Sequence, residues 1–543
     1  MKKFGICILV IFMALLSGCG KAESGVQNAD GSIGIQLNDK SVTISEGGRY
    51  IISGSLKNGS LIVDADKDSK LELVLDGVDI YSKNSAAIYI KQADKVTISL
   101  AEGSENRLAN GGGFEKNDEN NVDAVLFSKE GLKLEGAGKL VIDSPAGHGI
   151  VSKDSLEMNG GVYDINARNH GLDCNEDISV EGAKLAIVCG KDGIHSENSD
   201  DPGLSDIYIQ SGSFDLKAEG DGISAEDEIH IESGTFDICS GGGVENAPEK
   251  SPQMSMGFPG GFKGRGEFGG FEKQNADEDS VSGKAIKAGG DILVEGGVFV
   301  LDCADDAVHS NGNIKIEAGE FKIASGDDGF HADDSLLILG GDIEVSESYE
   351  GLEALHIEVQ GGNIKISADD DGLNAAGGTD QSGFGGRGND RFGPPGMSMN
   401  SDGSILVSGG KLHIRANGDG IDANGTLEIS GGDTVVCTPT YGDTATLDFD
   451  VSGIVSGGSF LGSGANNMMA QTFDESPQGI IAVGVGFMPA GTEIKVYDAF
   501  GNLIISHTPE LEFAVAILST KDLEKGQTYT ITVGELSGEI QAY

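Results

Sequence analysis

Apolar and polar residues alternate along most of this chain in runs of four or five. Gly234-Thr235-Phe236-Asp237-Ile238 and Gly319-Glu320-Phe321-Lys322-Ile323 show one version, Ser205-Asp206-Ile207-Tyr208-Ile209 and Asn313-Ile314-Lys315-Ile316-Glu317 another. A period of two puts alternate side chains on opposite faces of an extended strand, so each run predicts a half-buried β-strand. Glycine pairs such as Gly296-Gly297, Gly340-Gly341 and Gly361-Gly362 punctuate the runs as turns. No helical period of 3.6 follows the N-terminal segment.

A third phrase recurs between the runs: an acidic residue, Gly or Ala, an aliphatic residue, then a polar one. Clear copies are Lys191-Asp192-Gly193-Ile194-His195, Gly220-Asp221-Gly222-Ile223-Ser224, Asp305-Asp306-Ala307-Val308-His309, Asp327-Asp328-Gly329-Phe330-His331, Asp370-Asp371-Gly372-Leu373-Asn374 and Gly418-Asp419-Gly420-Ile421-Asp422. Indexed by its aliphatic corner residue, the series runs Ile88, Val125, Ile150, Leu172, Ile194, Ile223, Val244, Ile286, Val308, Phe330, Leu352, Leu373 and Ile421. Most intervals are about 22 residues, a period that marks stacked supersecondary units. Leucine-rich repeats lack a match in their Leu/Asn scaffold, and a propeller blade needs roughly twice the period. The prediction is an all-β parallel β-helix, one cooperative body despite its length, with coils about 4.8 Å apart and equivalent positions forming ladders.

The ends and the interruptions divide the chain. Met1-Lys2-Lys3 and the apolar run Phe4 to Leu16 read as a secretory signal, and Leu16-Ser17-Gly18-Cys19 resembles a bacterial lipobox. Residues 1–18 are therefore expected to be a lipoprotein signal peptide, Cys19 the lipidation site and 19–30 a tether. The mature protein would sit outside the cell, touching the membrane through that lipid alone. Residues 31–478 are assigned to the β-helix, with 31–80 as an N-terminal cap and 443–478 as the last coils. Residues 479–543 lose the repeat but keep strands such as Ile494-Lys495-Val496-Tyr497 and Tyr529-Thr530-Ile531-Thr532-Val533, and are assigned to a C-terminal β cap or sandwich. A bare terminal coil is an exposed sheet edge, so caps are expected. Inserts at 246–283 and 377–402, rich in Gly, Phe, Met and Arg, interrupt coils near one edge. They would either grip sugars or a partner, or serve as loops of low information.

Charge adds chemistry to the pattern. Asp and Glu number 87 against 37 Lys and Arg, a formal net charge of −50. That excludes nucleic acid and anionic membrane surfaces as partners and favours cations, or a polymer reached through cations. The acids gather at the corners: Asp192, Asp221, Asp305, Asp306, Asp327, Asp328, Glu350, Asp369, Asp370, Asp371 and Asp419. A second polar ladder follows the aliphatic residue: Asp173, His195, Ser224, Glu245, Lys287, His309, His331, Glu353, Asn374 and Asp422. Two carboxylates one coil apart repel by about 3 kcal/mol at an effective dielectric of 20. They can splay into water, pair with His or Lys (Lys287 with Glu245, for example), or hold Ca²⁺, which takes six to eight oxygen ligands. The expected Ca²⁺ ligands are Asp192, Asp221, Asp305, Asp306, Asp327, Asp328, Glu350, Glu353, Asp370, Asp371, Asp419 and Asp422. No EF-hand loop is present, and the nonapeptide Ca²⁺ roll has a shorter period. His309 and His331 are read as hydrogen-bonded ladder residues rather than transition-metal ligands. Cys189, Cys239 and Cys303, in one slot with Ala167, Ala218, Ser325, Ala368 and Ala416, are read as a buried small-residue ladder of free thiols.

With these features the chain resembles the clostridial carbohydrate-binding β-helix lipoproteins, related in shape to pectate lyases. The likeness rests on the lipobox, the Asp-Gly-Ile/Leu-His/Asn/Asp corners, the Gly-Gly strand openings, the insert Met256-Gly257-Phe258-Pro259-Gly260-Gly261 and the ending Leu523-Glu524-Lys525-Gly526-Gln527-Thr528-Tyr529. It implies a right-handed helix binding Ca²⁺ and plant cell-wall glycans, polygalacturonate among them. Three functions follow. A surface-anchored, monomeric glycan-binding protein would use Ca²⁺ to bridge its own carboxylates to uronates; the absence of Trp argues against a flat aromatic platform. A polysaccharide lyase would need a base, for which Lys287 is the candidate ahead of Lys153, Lys191 and Arg415. A structural adhesin or spacer would use Ca²⁺ only as glue.

Overall fold

The computed structural model describes residues 26–115, 121–198, 201–248, 282–375, 402–442 and 444–543. The signal, Cys19 and most of both inserts lie outside the described residues. Among the described residues two 3₁₀ turns, Pro202–Leu204 and Val244–Asn246, interrupt an otherwise all-β fold. Forty-one of the described strands join one sheet whose pairings are overwhelmingly parallel, as a β-helix requires, and four more form a separate antiparallel sheet.

The repeat becomes the pairing register. Ile88 pairs with Leu126, Leu126 with Ile150, Ile150 with Leu172 and Leu172 with Ile194. The corner line then runs through Ile223, Ile286, Val308, Phe330, Leu352, Leu373 and Ile421. Two expected members drop out. Leu126, not Val125, holds the corner, and Ile223 pairs directly with Ile286. Val244 and Glu245 belong to the 3₁₀ turn that leaves the coil before the first insert. The stretch 31–80 joins the same parallel sheet, with Ile33 beside Tyr50 and Tyr50 beside Leu73.

The alternating runs bury one face. Phe214, Phe236, Phe299 and Phe321 stack in register inside the coils, their ring centroids 4.7, 4.6 and 4.4 Å apart. The small-residue ladder is real but differs by one member. Ala167, Cys189, Ala218, Ser240, Cys303 and Ser325 follow one another, whereas Cys239 pairs with Lys217 and Asp302 on the outward face. The described cysteines are free thiols. Burial pushes the Cys174 and Cys189 thiols up to about 12, which keeps them protonated packing residues.

At the far end Ser459–Gly464 pairs antiparallel with Phe513–Thr520, which pairs in turn with Ile480–Met488. The strands Ile494–Tyr497, Leu503–His507, Thr528–Val533 and Leu536–Gln541 form the second sheet. Ile494, Val496, Phe513, Leu518, Tyr529 and Ile531 build its own core. The last parallel edge is thereby covered by strands of opposite direction.

Candidate functional site

One slot explains the acidic corner. Two residues before each corner aliphatic, the chain places His148, His170, Asp192, Asp221, Lys284, Asp306, Asp328, Glu350, Asp371 and Asp419 in successive coils. The next position is always Gly or Ala from Gly149 to Gly420. Coils approach too closely for more: a Cβ on Gly222 would stand 2.5 Å from the Ala285 carbonyl. One residue after the aliphatic comes the second ladder, in which Asp173, His195, Ser224, Lys287, His309, His331, Glu353, Asn374, Asp422 and Asp448 pair in order. Glu245 is not part of it, and the ion pair expected for Lys287 forms instead with Asp221, at 3.7 Å.

The acids do not splay into water. Asp221, Asp306, Asp328, Asp371 and Asp419 are buried. Each −2 carboxylate tends to reach along the axis and accept the backbone N–H of the same slot in the next coil. Asp192 Oδ1 accepts from Asp221 N at 2.8 Å, Asp221 Oδ1 from Lys284 N at 2.8 Å, Asp306 Oδ1 from Asp328 N at 3.0 Å and Asp371 Oδ1 from Asp419 N at 2.6 Å. The donors are buried amides, and an unpaired one is costly, so a short side-chain acceptor is favoured in this slot.

The upstream part of the row carries its own cations. Asp173 Oδ1 lies 3.0 Å from His195 Nδ1, and Asp192 Oδ2 lies 3.2 Å from His170 Nδ1. The rings of His148, His170 and His195 stack at 5.1 and 4.3 Å. Lys284, with no exposed side-chain surface, sets its ammonium 2.8 Å from Asp305 and 3.0 Å from Asp306. Burial opposes the Lys284 charge, yet Asp306 and Asp305 raise its pKa above the usual range. Burial likewise works against Asp306, but Lys284 and His309 hold it well below the usual carboxylate range. Asp192 and Asp173 are lowered in the same way by their histidines, against burial. His148, which burial holds at about 4, is neutral.

The downstream part carries fewer basic side chains in these slots. Asp328 meets His331 Nδ1 at 3.0 Å, and Glu350 accepts from Asn374 Nδ2 at 2.8 Å. Burial first, then the Glu353 and Asp328 charges, push Glu350 well above the usual range. Burial and the charges of Asp370, Asp419 and Asp422 do the same to Asp371, and burial with Glu353 does so to Asp328. Asn374 is 5% exposed, and its Oδ1 has no hydrogen-bond partner among the described residues.

All twelve acids expected as cation ligands therefore lie on or beside one row, in unlike settings. Asp192, Asp221, Asp305 and Asp306 face histidine or lysine. Asp327 has an oxygen within 4.8 Å of Asp305 and Asp306. Asp328, Glu350, Glu353, Asp370, Asp371, Asp419 and Asp422 make up the downstream stretch, in which His331 faces Asp328 and Glu353. Sequence reading passed over His148, His170 and Lys284 as site residues. Their signal was position: His148-Gly149-Ile150, His170-Gly171-Leu172 and Lys284-Ala285-Ile286 occupy the frame of Asp192-Gly193-Ile194.

A family model described as "Carbohydrate-binding domain-containing protein" matches residues 38–329 and 327–482. A protein of that same description from Acetivibrio thermocellus is 30% identical over 245 residues, covering 41% of this chain and 86% of the relative. A solved structure, described as the polysaccharide lyase-like protein from C. thermocellum in a gadolinium derivative, aligns at 30% identity. It covers 38% of this chain and 88% of that one, with a TM-score of 0.36.

Proposed function

This chain belongs to the family of carbohydrate-binding domain-containing proteins, and on that premise we propose that it binds an acidic, polygalacturonate-like wall polysaccharide through Ca²⁺ held on the downstream row. The reading is carried by the buried Asn374 Oδ1, an acceptor with no described donor set among carboxylates. An orphaned oxygen beside Glu350, Asp371 and Asp422 is what an oxygen-seeking cation would satisfy. Asp370, Asp371, Asn374 and Asp422 would hold it, with Glu350 beside them; every donor is a hard oxygen, as Ca²⁺ prefers. The Lys284 rung does not fit Ca²⁺, because the lysine ammonium already lies against Asp305 and Asp306. Ca²⁺ bound there would supply the positive charge that lets a protein of net charge −50 meet a polyuronate.

The same residues bear on the lyase alternative. Lys287 Nζ lies 3.7 Å from Asp221 Oδ2 and is engaged in an ion pair, which supports retention of polymer over its cleavage. We read the chain as anchored at the cell surface through Cys19, which Cys19→Ser with labelled fatty acid would test. The functional test is equilibrium binding of the protein to polygalacturonate with Ca²⁺ and with chelator, the same tubes being read for unsaturated uronate. Binding that Ca²⁺ promotes and Asp371→Asn with Asp422→Asn abolishes is expected. Equal binding in chelator would overturn the calcium bridge, and unsaturated product lost in Lys287→Ala would make the protein a lyase.

A further inference from the structure

The His331 rung uses its ring nitrogens differently from the rung before it. At the Val308 corner, His309 Nδ1 meets Asp306 Oδ2 at 2.8 Å and Nε2 meets Asn311 Oδ1 at 2.9 Å. Each ring nitrogen has one acceptor, and Asp306 also has the Lys284 ammonium at 3.0 Å. One coil on, the frame repeats: His331 Nδ1 lies 3.0 Å from Asp328 Oδ2, and Nε2 lies 3.4 Å from Asp333 Oδ1. Glu353 then adds a further oxygen, Oε2, 2.8 Å from the same Nδ1. One N–H cannot donate at full strength to two carboxylates, and no lysine ion pair is formed by any of these acids among the described residues. Asp328 and His331 are buried. The next rung, Asn374, is in register with Glu353 and carries the orphaned Oδ1.

We propose that Asp328, His331 and Glu353 bind a divalent transition-metal ion of the Zn²⁺ and Mn²⁺ class, with Asp333 orienting the imidazole. Ligands about 2.1 Å from one ion stand about 3.0 Å apart at octahedral angles and about 3.4 Å apart at tetrahedral ones, close to the 3.0 and 2.8 Å that Asp328 and Glu353 keep from Nδ1. A proton on Nε2, directed to Asp333, leaves the Nδ1 lone pair free to ligate, the arrangement in which a carboxylate fixes the tautomer of a metal-bound histidine. The nitrogen donor separates this site from the oxygen-only stretch at Asp370, Asp371, Asn374 and Asp422, which suits Ca²⁺. At the His309 rung each ring nitrogen has a single acceptor, and Lys284 already supplies Asp306 with a cation. This site does not rest on glycan binding: the metal would clamp adjacent coils whether or not a polymer is bound.

The test is a titration of the full chain, stripped with chelator, with Co²⁺ as the spectroscopic probe and Zn²⁺ as competitor, in excess Ca²⁺. Saturable uptake of about one ion per chain with a ligand-field band is expected. Asp333→Asn should weaken it by about 10-fold or more, the usual cost of losing an orienting partner. His331→Gln and Glu353→Gln should abolish it, and Lys139→Ala, at an exposed ion pair off the row, should leave it unchanged. Glu353 is only half-buried, so Glu353→Gln keeps the test open if His331→Gln does not fold. Absence of saturable uptake, displacement by Ca²⁺ at equal concentration, or wild-type affinity in Glu353→Gln would each overturn the proposal.

Discussion

The acidic row is one backbone device used in two electrostatic states. From Asp173 to His309 the chain answers its buried carboxylates with His170, His195, Lys284, Lys287 and His309. From Asp328 to Asp422 the same slots hold Asp, Glu and Asn, with His331 as the basic side chain of that stretch. The carboxylate that accepts the next coil's amide is present in both, so backbone satisfaction does not explain the difference. What differs is the number of basic side chains in these slots: several upstream, His331 downstream. A sheet stacks equivalent residues, so a repeated acid becomes a repeated repulsion unless something cationic is placed between the coils.

The sharpest way to break this comparison is to make the upstream half resemble the downstream half. Lys284→Met leaves Asp305 and Asp306 without their ammonium and should cost about 3–5 kcal/mol in urea denaturation, as removal of one partner of a buried pair does. Adding Asp306→Asn to Lys284→Met should recover part of that loss.

Next in size is the pH response of metal-free protein. Asp328, Glu350 and Asp371 have raised folded values, so the folded state holds extra protons just above the ordinary carboxylate range. Their contribution grows as pH falls through those values. His195 and His331 are raised despite burial, by Asp173 and by Asp328 respectively, and add stability below the ordinary imidazole range that is lost as pH rises through their folded values. His148 and His507, held by burial at about 4, act in the opposite sense. Asp173, Asp192 and Asp306 are lowered, so their stabilisation is full above the ordinary range and lost as pH falls through their depressed values. Chelated protein should therefore gain stability on mild acidification below neutrality and lose it in strong acid. Glu350→Gln should shrink the gain, and saturating Ca²⁺ should flatten it. A thermal-melt series across pH, with and without chelator, reads both.

A smaller effect separates charge from geometry downstream. Asp371→Asn keeps an oxygen for the Asp419 amide while removing one charge. It should raise the metal-free melting temperature by the equivalent of about 1 kcal/mol, less than the full repulsion because water and salt screen it. The rise that Ca²⁺ gives the wild type should disappear. Smallest is the control off the row: Lys139 and Asp164 form an exposed pair at 3.3 Å, and Lys139→Ala should change stability by less than about 1 kcal/mol.

Much of the architecture was legible because a solenoid converts sequence period directly into spatial register. Ile150, Leu172 and Ile194 could be aligned on the page and then found hydrogen-bonded neighbours in space. Reading failed where local phrases mimic the frame. Val244 follows glycines, as corner residues do, but the chain is leaving the coil there. Cys239 falls in the right interval counted back from Val244, and with that anchor removed Ser240 takes the inward slot. The site was less legible than the fold because the slot, not the residue type, carries its signal. Lys284 is invisible as a site residue by type and obvious by position. No pattern in the chain alone says that Asp371 Oδ1 points along the axis rather than outward; that depends on how closely Gly372 lets the coils approach, with the Gly420 carbonyl 2.6 Å from where a Cβ would lie.

The axial hydrogen bond of the aspartates has one more consequence. Asp192 reaches Asp221 across 29 residues of chain, Asp221 reaches Lys284 across 63 and Asp371 reaches Asp419 across 48. The three bonds are 2.8, 2.8 and 2.6 Å long. A zip engages its teeth whatever length of cloth hangs between them, and this row does the same. Doubling a loop costs only about 0.6 kcal/mol in closure entropy, so whole segments can be spooled out between coils without disturbing the teeth. The corners after Asp221 and Asp371 are therefore natural ports, where foreign sequence could be spliced in while the charged face on either side stays in step.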